Sequence, residues 1–239
     1  VNLYMLDTRL YGRQEQGSGS DATREMLGPD QKAWILNELN TSTAKWNVIG
    51  QQVVFTEIPL VGSNNDDAWW GYPTDRDDII DAAVNNTNGD LVVLTGDVHT
   101  AWASDIVTPT YDENTQANSA GVEFVCNSVT SSGLGNPVSL GLVQGIAPNV
   151  KYVETELKGY IVVDFRDTSS QCDFYDVSTI DTKTYTVTYD GGNYTLAGTR
   201  YLRDNVSESS PMQEPVGLAP TNSGNAGAHN PLLIIGTYP

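Results

Sequence analysis

An aspartate and a histidine two positions apart, Asp97 and His99 in the run Thr95-Gly96-Asp97-Val98-His99-Thr100, are the side chains of this sequence best suited to reactive chemistry. A carboxylate oxygen beside an imidazole nitrogen is a mixed donor set that suits iron, zinc or manganese. The same two groups can also act as a general acid with its orienting partner, or form a hydrogen-bonded structural pair. On an extended segment side chains two apart share a face, so the spacing predicts that both point to one side. Histidine is scarce: only His99 and His229 occur, and His229 lies in a Gly- and Asn-rich stretch where a solvated role is expected. One carboxylate and one imidazole do not complete a two-metal site, so further ligands have to come from elsewhere.

The elements that position this pair can be read from periodicity. Leu91-Val92-Val93-Leu94 reads as a buried strand that runs straight into Thr95, and Gly96 permits a tight turn there. In layered α/β proteins ligands collect at the carboxyl ends of strands, where loops hold polar groups over a rigid sheet. Residues 3–6, 46–55 and 122–126 read as further strands. Residues 29–39 read as a helix, with Pro29 suited to the first turn and Ile35, Leu36 and Leu39 at helical spacing, and a second helix follows Pro73, with Ile79, Ile80, Ala83 and Val84 on one face. From about Tyr152 the pattern turns to strands alone, at residues 152–155, 160–165, 172–177, 184–189 and 194–196, and Asp190-Gly191-Gly192-Asn193 reads as a hairpin turn. The fold class is therefore α/β (α+β), ending in antiparallel strands. Residues 1–206 form the domain, 207–230 a Ser-, Pro-, Gly- and Asn-containing linker, and 231–239 the start of a further module.

Composition narrows the function classes. Thirty Asp and Glu against twelve Lys and Arg give a formal net charge of −18, which excludes nucleic-acid binding by a basic surface. Such acidity suits solubility in a salty or extracellular medium, with a subset of carboxylates available to divalent cations. Five Trp and twelve Tyr, with 39% hydrophobic residues, supply a core. Cys126 and Cys172 lack Cys-x-x-Cys spacing and sit in strand-like runs, so two buried free thiols are expected. No run of about 18 apolar residues predicts a transmembrane segment. Asn-x-Ser/Thr triplets at Asn40, Asn85, Asn193 and Asn205 are of the kind that arises by chance in an Asn- and Thr-rich chain.

A series of short motifs resembles the PhoD-like alkaline phosphatase family. Leu6-Asp-Thr-Arg9, Met26-Leu-Gly-Pro-Asp-Gln31 with Trp34 and Leu39, and Trp46-Asn-Val-Ile-Gly-Gln-Gln-Val53 come first. Trp70-Gly-Tyr-Pro73 with Arg76, Val93-Leu-Thr-Gly-Asp-Val-His99, Glu123-Phe-Val-Cys-Asn-Ser-Val-Thr-Ser131 and Gly159-Tyr160 follow in register. Together they cover about residues 3 to 178. Trp69-Trp70-Gly71 departs from the family's Trp-Asp-Gly, and Asp66 or Asp67 is placed to replace the lost charge.

The resemblance implies a calcineurin-like four-layer αββα sandwich, of which this chain is the C-terminal half, and metal-dependent hydrolysis of phosphate esters, monoesters or diesters, with iron and calcium as the metals. It makes Asp97 and His99 metal ligands and catalytic residues. It offers Arg9 for phosphate or for anchoring Asp7, and Tyr72 and Arg76 for the substrate entrance, with Tyr72 and Trp70 as core aromatics in the alternative. The family's upstream ligands are expected on an N-terminal half that pairs with this chain as its partner. Leu233-Ile-Ile-Gly-Thr-Tyr-Pro239 resembles the opening of a type IX secretion sorting domain, which implies a secreted or cell-surface bacterial protein handled by that machinery. The other reading is a noncatalytic secreted or surface protein that binds a glycan, phospholipid or protein on the phosphatase scaffold.

Overall fold

The computed structural model describes residues 1–204, 206–209 and 234–235. Strands β1 (Asn2–Met5), β2 (Trp46–Gly50), β3 (Asp90–Thr95), β4 (Ala101–Ile106), β5 (Gly121–Val125) and β6 (Val150–Glu154) form one sheet in the order β1-β2-β3-β5-β4-β6. β1, β2, β3 and β5 run parallel, and β4 is antiparallel to both its neighbours. Parallel neighbours need crossovers, and the first two are helices α1 (Gly28–Thr41) and α2 (Pro73–Asn85). Each carries a proline at its start and an acid in the first turn, Asp30 in α1 and Asp75 in α2, where fixed φ and negative charge both favour a helix N-terminus.

The two faces of the sheet meet different layers. Tyr4, Leu6, Ile49, Leu91 and Val93 pack with Ile35, Leu39 and Ile79 of the helices. Val48, Val92, Leu94, Ala103 and Phe124 pack instead with Ile161, Cys172 and Phe174. The latter three belong to a second sheet of β7 (Lys158–Phe165), β8 (Ser169–Val177), β9 (Val187–Leu196) and β10 (Ile234–Ile235), in the order β10-β7-β8-β9. Covering on both faces explains why Leu91-Val92-Val93-Leu94 is apolar at every position rather than alternating. Helix, sheet and sheet are three successive layers of the expected sandwich. Cys126 and Cys172 are free and buried between the sheets, and burial pushes the Cys126 thiol up to about 12. No helix of the described residues is long and apolar enough to cross a membrane.

Several elements differ from expectation. β2 stops at Gly50 rather than residue 55, because Gln51 bonds its own neighbourhood: its side chain holds Val53 N and Val53 O. β4 is a buried central strand that the sequence conceals. Asp190-Gly191-Gly192-Asn193 does not turn; it lies inside β9, and Asp190 is the extra residue where pairing with β8 slips between Phe174 and Tyr175. A Cβ on Gly192 would come within 2.8 Å of Asp173 Oδ1 and 2.9 Å of the Tyr189 hydroxyl, so that glycine makes room at a bulge. The short helix α3 (Leu140–Gln144) was not expected from the pattern. Most of the linker, with His229, lies outside the described residues. Within 231–239, Ile234 and Ile235 pair with Val162 and Ile161 of β7.

β4 also carries a testable charge. Asp105, wholly buried, accepts Leu202 N at 2.6 Å and the Tyr111 hydroxyl at 2.7 Å. Burial outweighs these bonds and raises its pKa from 3.8 to about 6. A raised carboxyl destabilises the folded state only where it must ionise: the cost is absent below the unfolded value and grows as pH rises from about 4 to about 6. Asp105→Asn, which keeps an acceptor, is expected to remove that slope, worth on the order of 2–3 kcal/mol. Urea unfolding at pH 4, 5, 6 and 7 reads it, and parallel curves for both proteins would refute the assignment.

Candidate active site

The carboxyl ends of β1, β2, β3 and β5 lie along one edge of the first sheet, and the loops that leave them carry the polar groups. Past β1, Asp7 Oδ1 accepts the backbone N–H groups of Arg9 (2.9 Å) and Leu10 (2.8 Å), which hold its carboxyl below the usual carboxylate range. Asp7 thereby shapes the turn that presents Arg9, and the anchoring between them is through the backbone rather than a side-chain pair. The Arg9 guanidinium then reaches two loops at once. Nη1 donates to Asp67 at 2.8 and 2.6 Å, and Nη2 donates to Asp97. Arg13 joins from the same segment, with Nη2 2.6 Å from Asp67 Oδ1. Burial works against the Arg9 charge, but Asp67 and Asp97 outweigh it and hold its pKa above the ordinary value.

Past β3, Asp97 and His99 are half-buried and have φ of 73° and 62°. Both therefore lie in the left-handed region, and the extended geometry expected from their spacing does not hold. Non-glycine residues there cost on the order of 1 kcal/mol each, a conformation that persists only where surroundings impose it. His99 Nδ1 lies 3.0 Å from the Ser132 carbonyl, so it carries the proton and Nε2 is the ring atom left for a ligand. Gly133, next along, sits so close to the Thr155 carbonyl that any Cβ would collide with it. That close approach brings Ser132 to His99.

A buried polar chain beneath the loop escaped sequence reasoning. Glu123 of β5 is fully buried and accepts Phe55 N at 2.8 Å, Thr56 N at 2.7 Å and the Thr95 hydroxyl at 2.7 Å. Thr95 Oγ1 in turn accepts Gln51 Nε2 at 2.6 Å, and Gln51 Oε1 accepts Trp69 Nε1 at 3.1 Å. The chain ties the end of β3, two residues before Asp97, to the loops after β2. Glu123 was visible only as a charge inside an otherwise apolar strand.

Comparison with known proteins matches the sequence profile of the PhoD-like phosphatases to residues 1–174. The chain belongs to this family. Alkaline phosphatase D of Bacillus subtilis (strain 168) is 38% identical over 145 residues, 55% of this chain and 24% of that protein. A solved structure titled "Structure of PhoD" superposes with a TM-score of 0.73 at 26% identity, over 87% of this chain and 42% of that one. The chain thus spans less than half the length of the relatives it matches.

Within this PhoD-like frame the five sequence-predicted residues do not form one cluster. Arg9 and Asp97 are bonded together, with His99 on the same loop as Asp97. Tyr72 is fully buried in the helix-side core, its hydroxyl donated to Gln14 O at 2.8 Å, so it is a core aromatic and not an entrance residue. Arg76, in the first turns of α2, pairs with Glu57 and with its neighbour Asp77, and shares no partner with Arg9. Asp67 is the carboxylate that meets both Arg9 and Arg13, a charge close in sequence to the Trp69-Trp70-Gly71 departure.

Proposed function

We propose that this chain contributes Asp97, His99 and Arg9 to a metal-dependent phosphate-ester hydrolase, with the remaining metal ligands supplied by sequence that its relatives have and this chain does not span. The observation that carries the reading is the loop after β3, where Asp97 and His99 both keep a left-handed backbone beside a guanidinium. The donors fit a metal: the bond from His99 Nδ1 to the Ser132 carbonyl fixes the tautomer that offers Nε2, as second partners of metal-bound imidazoles do. An imidazole with a carboxylate suits iron, and carboxylate oxygens suit calcium.

A metal held by Asp97 and His99 would supply Lewis acidity and lower the pKa of coordinated water far enough to make hydroxide available near neutral pH. The protein groups do the rest. Asp97 and His99 would be the donors, each held in a left-handed backbone on the loop after β3. Arg9 stays cationic, and when Asp97 turns to a metal it keeps two bonds to Asp67. It is then positioned to neutralise charge that develops on a phosphoryl group.

The test is turnover by the intact protein. Release of p-nitrophenol from p-nitrophenyl phosphate or its bis ester is expected, lost on chelation and restored by iron with calcium. Comparing the two substrates separates monoesterase from diesterase activity. No release under any metal supplement would leave a noncatalytic binding protein as the reading.

A further inference from the structure

A second group of carboxylates involves neither Asp97 nor His99, although Glu154 pairs across the sheet with Ala101, two residues past His99. Glu154 ends β6, Asp176 lies in β8 and Asp190 in β9, and one oxygen of each falls within 4.8 Å of the others. Two of the three have donors. Glu154 Oε1 accepts Glu156 N at 2.6 Å and Leu157 N at 2.9 Å, and Asp190 Oδ2 accepts the Tyr152 hydroxyl at 2.6 Å. Asp176 has none among the described residues, although it is only 7% exposed and faces the other two acids. A largely buried carboxylate that no protein donor or cation meets is costly, even where its oxygens keep a narrow contact with solvent. Burial, then Asp190 and Glu154, push its pKa up to about 7.

We propose that Glu154, Asp176 and Asp190 bind a hard divalent cation, calcium in chemical class, that clamps the edge strand of the first sheet to the second sheet. The donors are oxygens only, which selects a hard ion over zinc or copper. Oxygens at 2.3–2.6 Å from calcium stand at most about 4.6–5.2 Å apart across the ion, so three within 4.8 Å fit around one. Calcium tolerates irregular geometry and fills its shell with water, as a partly open site requires. The position explains the bulge at Asp190, because the extra residue in β9 changes which way that side chain points. Next to the site Tyr152 of β6 stacks on Phe174 of β8, with ring centroids 3.9 Å apart, so the two sheets are already in register there.

Terbium luminescence on the intact protein tests the site, with Tyr152 as an adjacent sensitiser. Tyrosine- and tryptophan-excited emission that calcium competes away is expected, retained in the Asp97→Ala/His99→Ala double variant. In Asp176→Asn and in Asp190→Asn, the latter at an exposed position, calcium affinity is expected to fall at least about tenfold. Melting gives an independent sign. In chelator, Asp176→Asn is expected to melt at or above wild type, because the like-charge contact is gone; in about 1 mM calcium the order reverses. Emission that survives both Asn variants, or disappears in the double variant, overturns the proposal. A melting order that calcium does not reverse also overturns it.

Discussion

Replacing Asp97 with glycine is expected to abolish phosphate-ester turnover while leaving the protein at least as stable as before. The loss of activity follows from the proposed role: without the carboxylate one metal donor disappears, and a fall of at least about a thousandfold, or roughly 4 kcal/mol in barrier, is expected. The stability follows from the backbone. At φ 73° Asp97 occupies a conformation that glycine adopts freely, so Asp97→Gly relieves a strain on the order of 1 kcal/mol. Arg9 keeps both bonds to Asp67, which limits the cost of losing its other partner. Asp97→Ala loses the same activity without relieving the strain and should melt below Asp97→Gly. His99→Ala, at φ 62°, is expected to behave like Asp97→Ala, with water replacing the imidazole at the Ser132 carbonyl. Melting temperature and p-nitrophenyl ester turnover, measured on all three variants, decide the matter. Turnover in Asp97→Gly within about tenfold of wild type would remove Asp97 from the machinery.

The strands that sequence reading located best are those buried on both faces, because both layers impose the same apolar requirement. Leu91-Val92-Val93-Leu94 is the clearest. β4 is as buried but reads Ala-Trp-Ala-Ser-Asp-Ile, and its Asp105 is satisfied by Leu202 N, 97 residues away. No local pattern encodes such a partner. Asp190-Gly191-Gly192-Asn193 has turn composition, yet pairing along the whole of β8 overrides the local preference. The site divides in the same way. Asp97 and His99 announce themselves by residue type at a strand end, whereas their left-handed backbone depends on contacts such as Ser132 to His99, 33 residues apart. Arg9 could be singled out, but its partner Asp67 lies 58 positions on, and Tyr72 carries a motif residue's identity in a wholly internal setting.

Glu123→Ala is expected to be the most damaging single substitution to the fold, costing about 3–5 kcal/mol. Three donors converge on this carboxylate, and alanine would leave Phe55 N, Thr56 N and the Thr95 hydroxyl without it in a buried setting. The removed volume adds a cavity between β5 and the loop after β2. Glu123→Gln separates the two contributions. It preserves volume and one acceptor oxygen, but its amide must face a backbone N–H, so it is expected to cost less than alanine and more than a surface substitution. Urea unfolding measures both. Because Thr95 is bonded to Glu123 and Gln51 and precedes Asp97 by two residues, Glu123→Gln is also expected to lower turnover in the population that remains folded. Ile35→Val, in α1 on the helix side, costs about 0.5–1.5 kcal/mol and should leave turnover per folded molecule unchanged. If Glu123→Ala unfolds at the wild-type midpoint, the polar chain is not what fixes the end of β3, and the strain at Asp97 must be maintained from the Ser132 side instead.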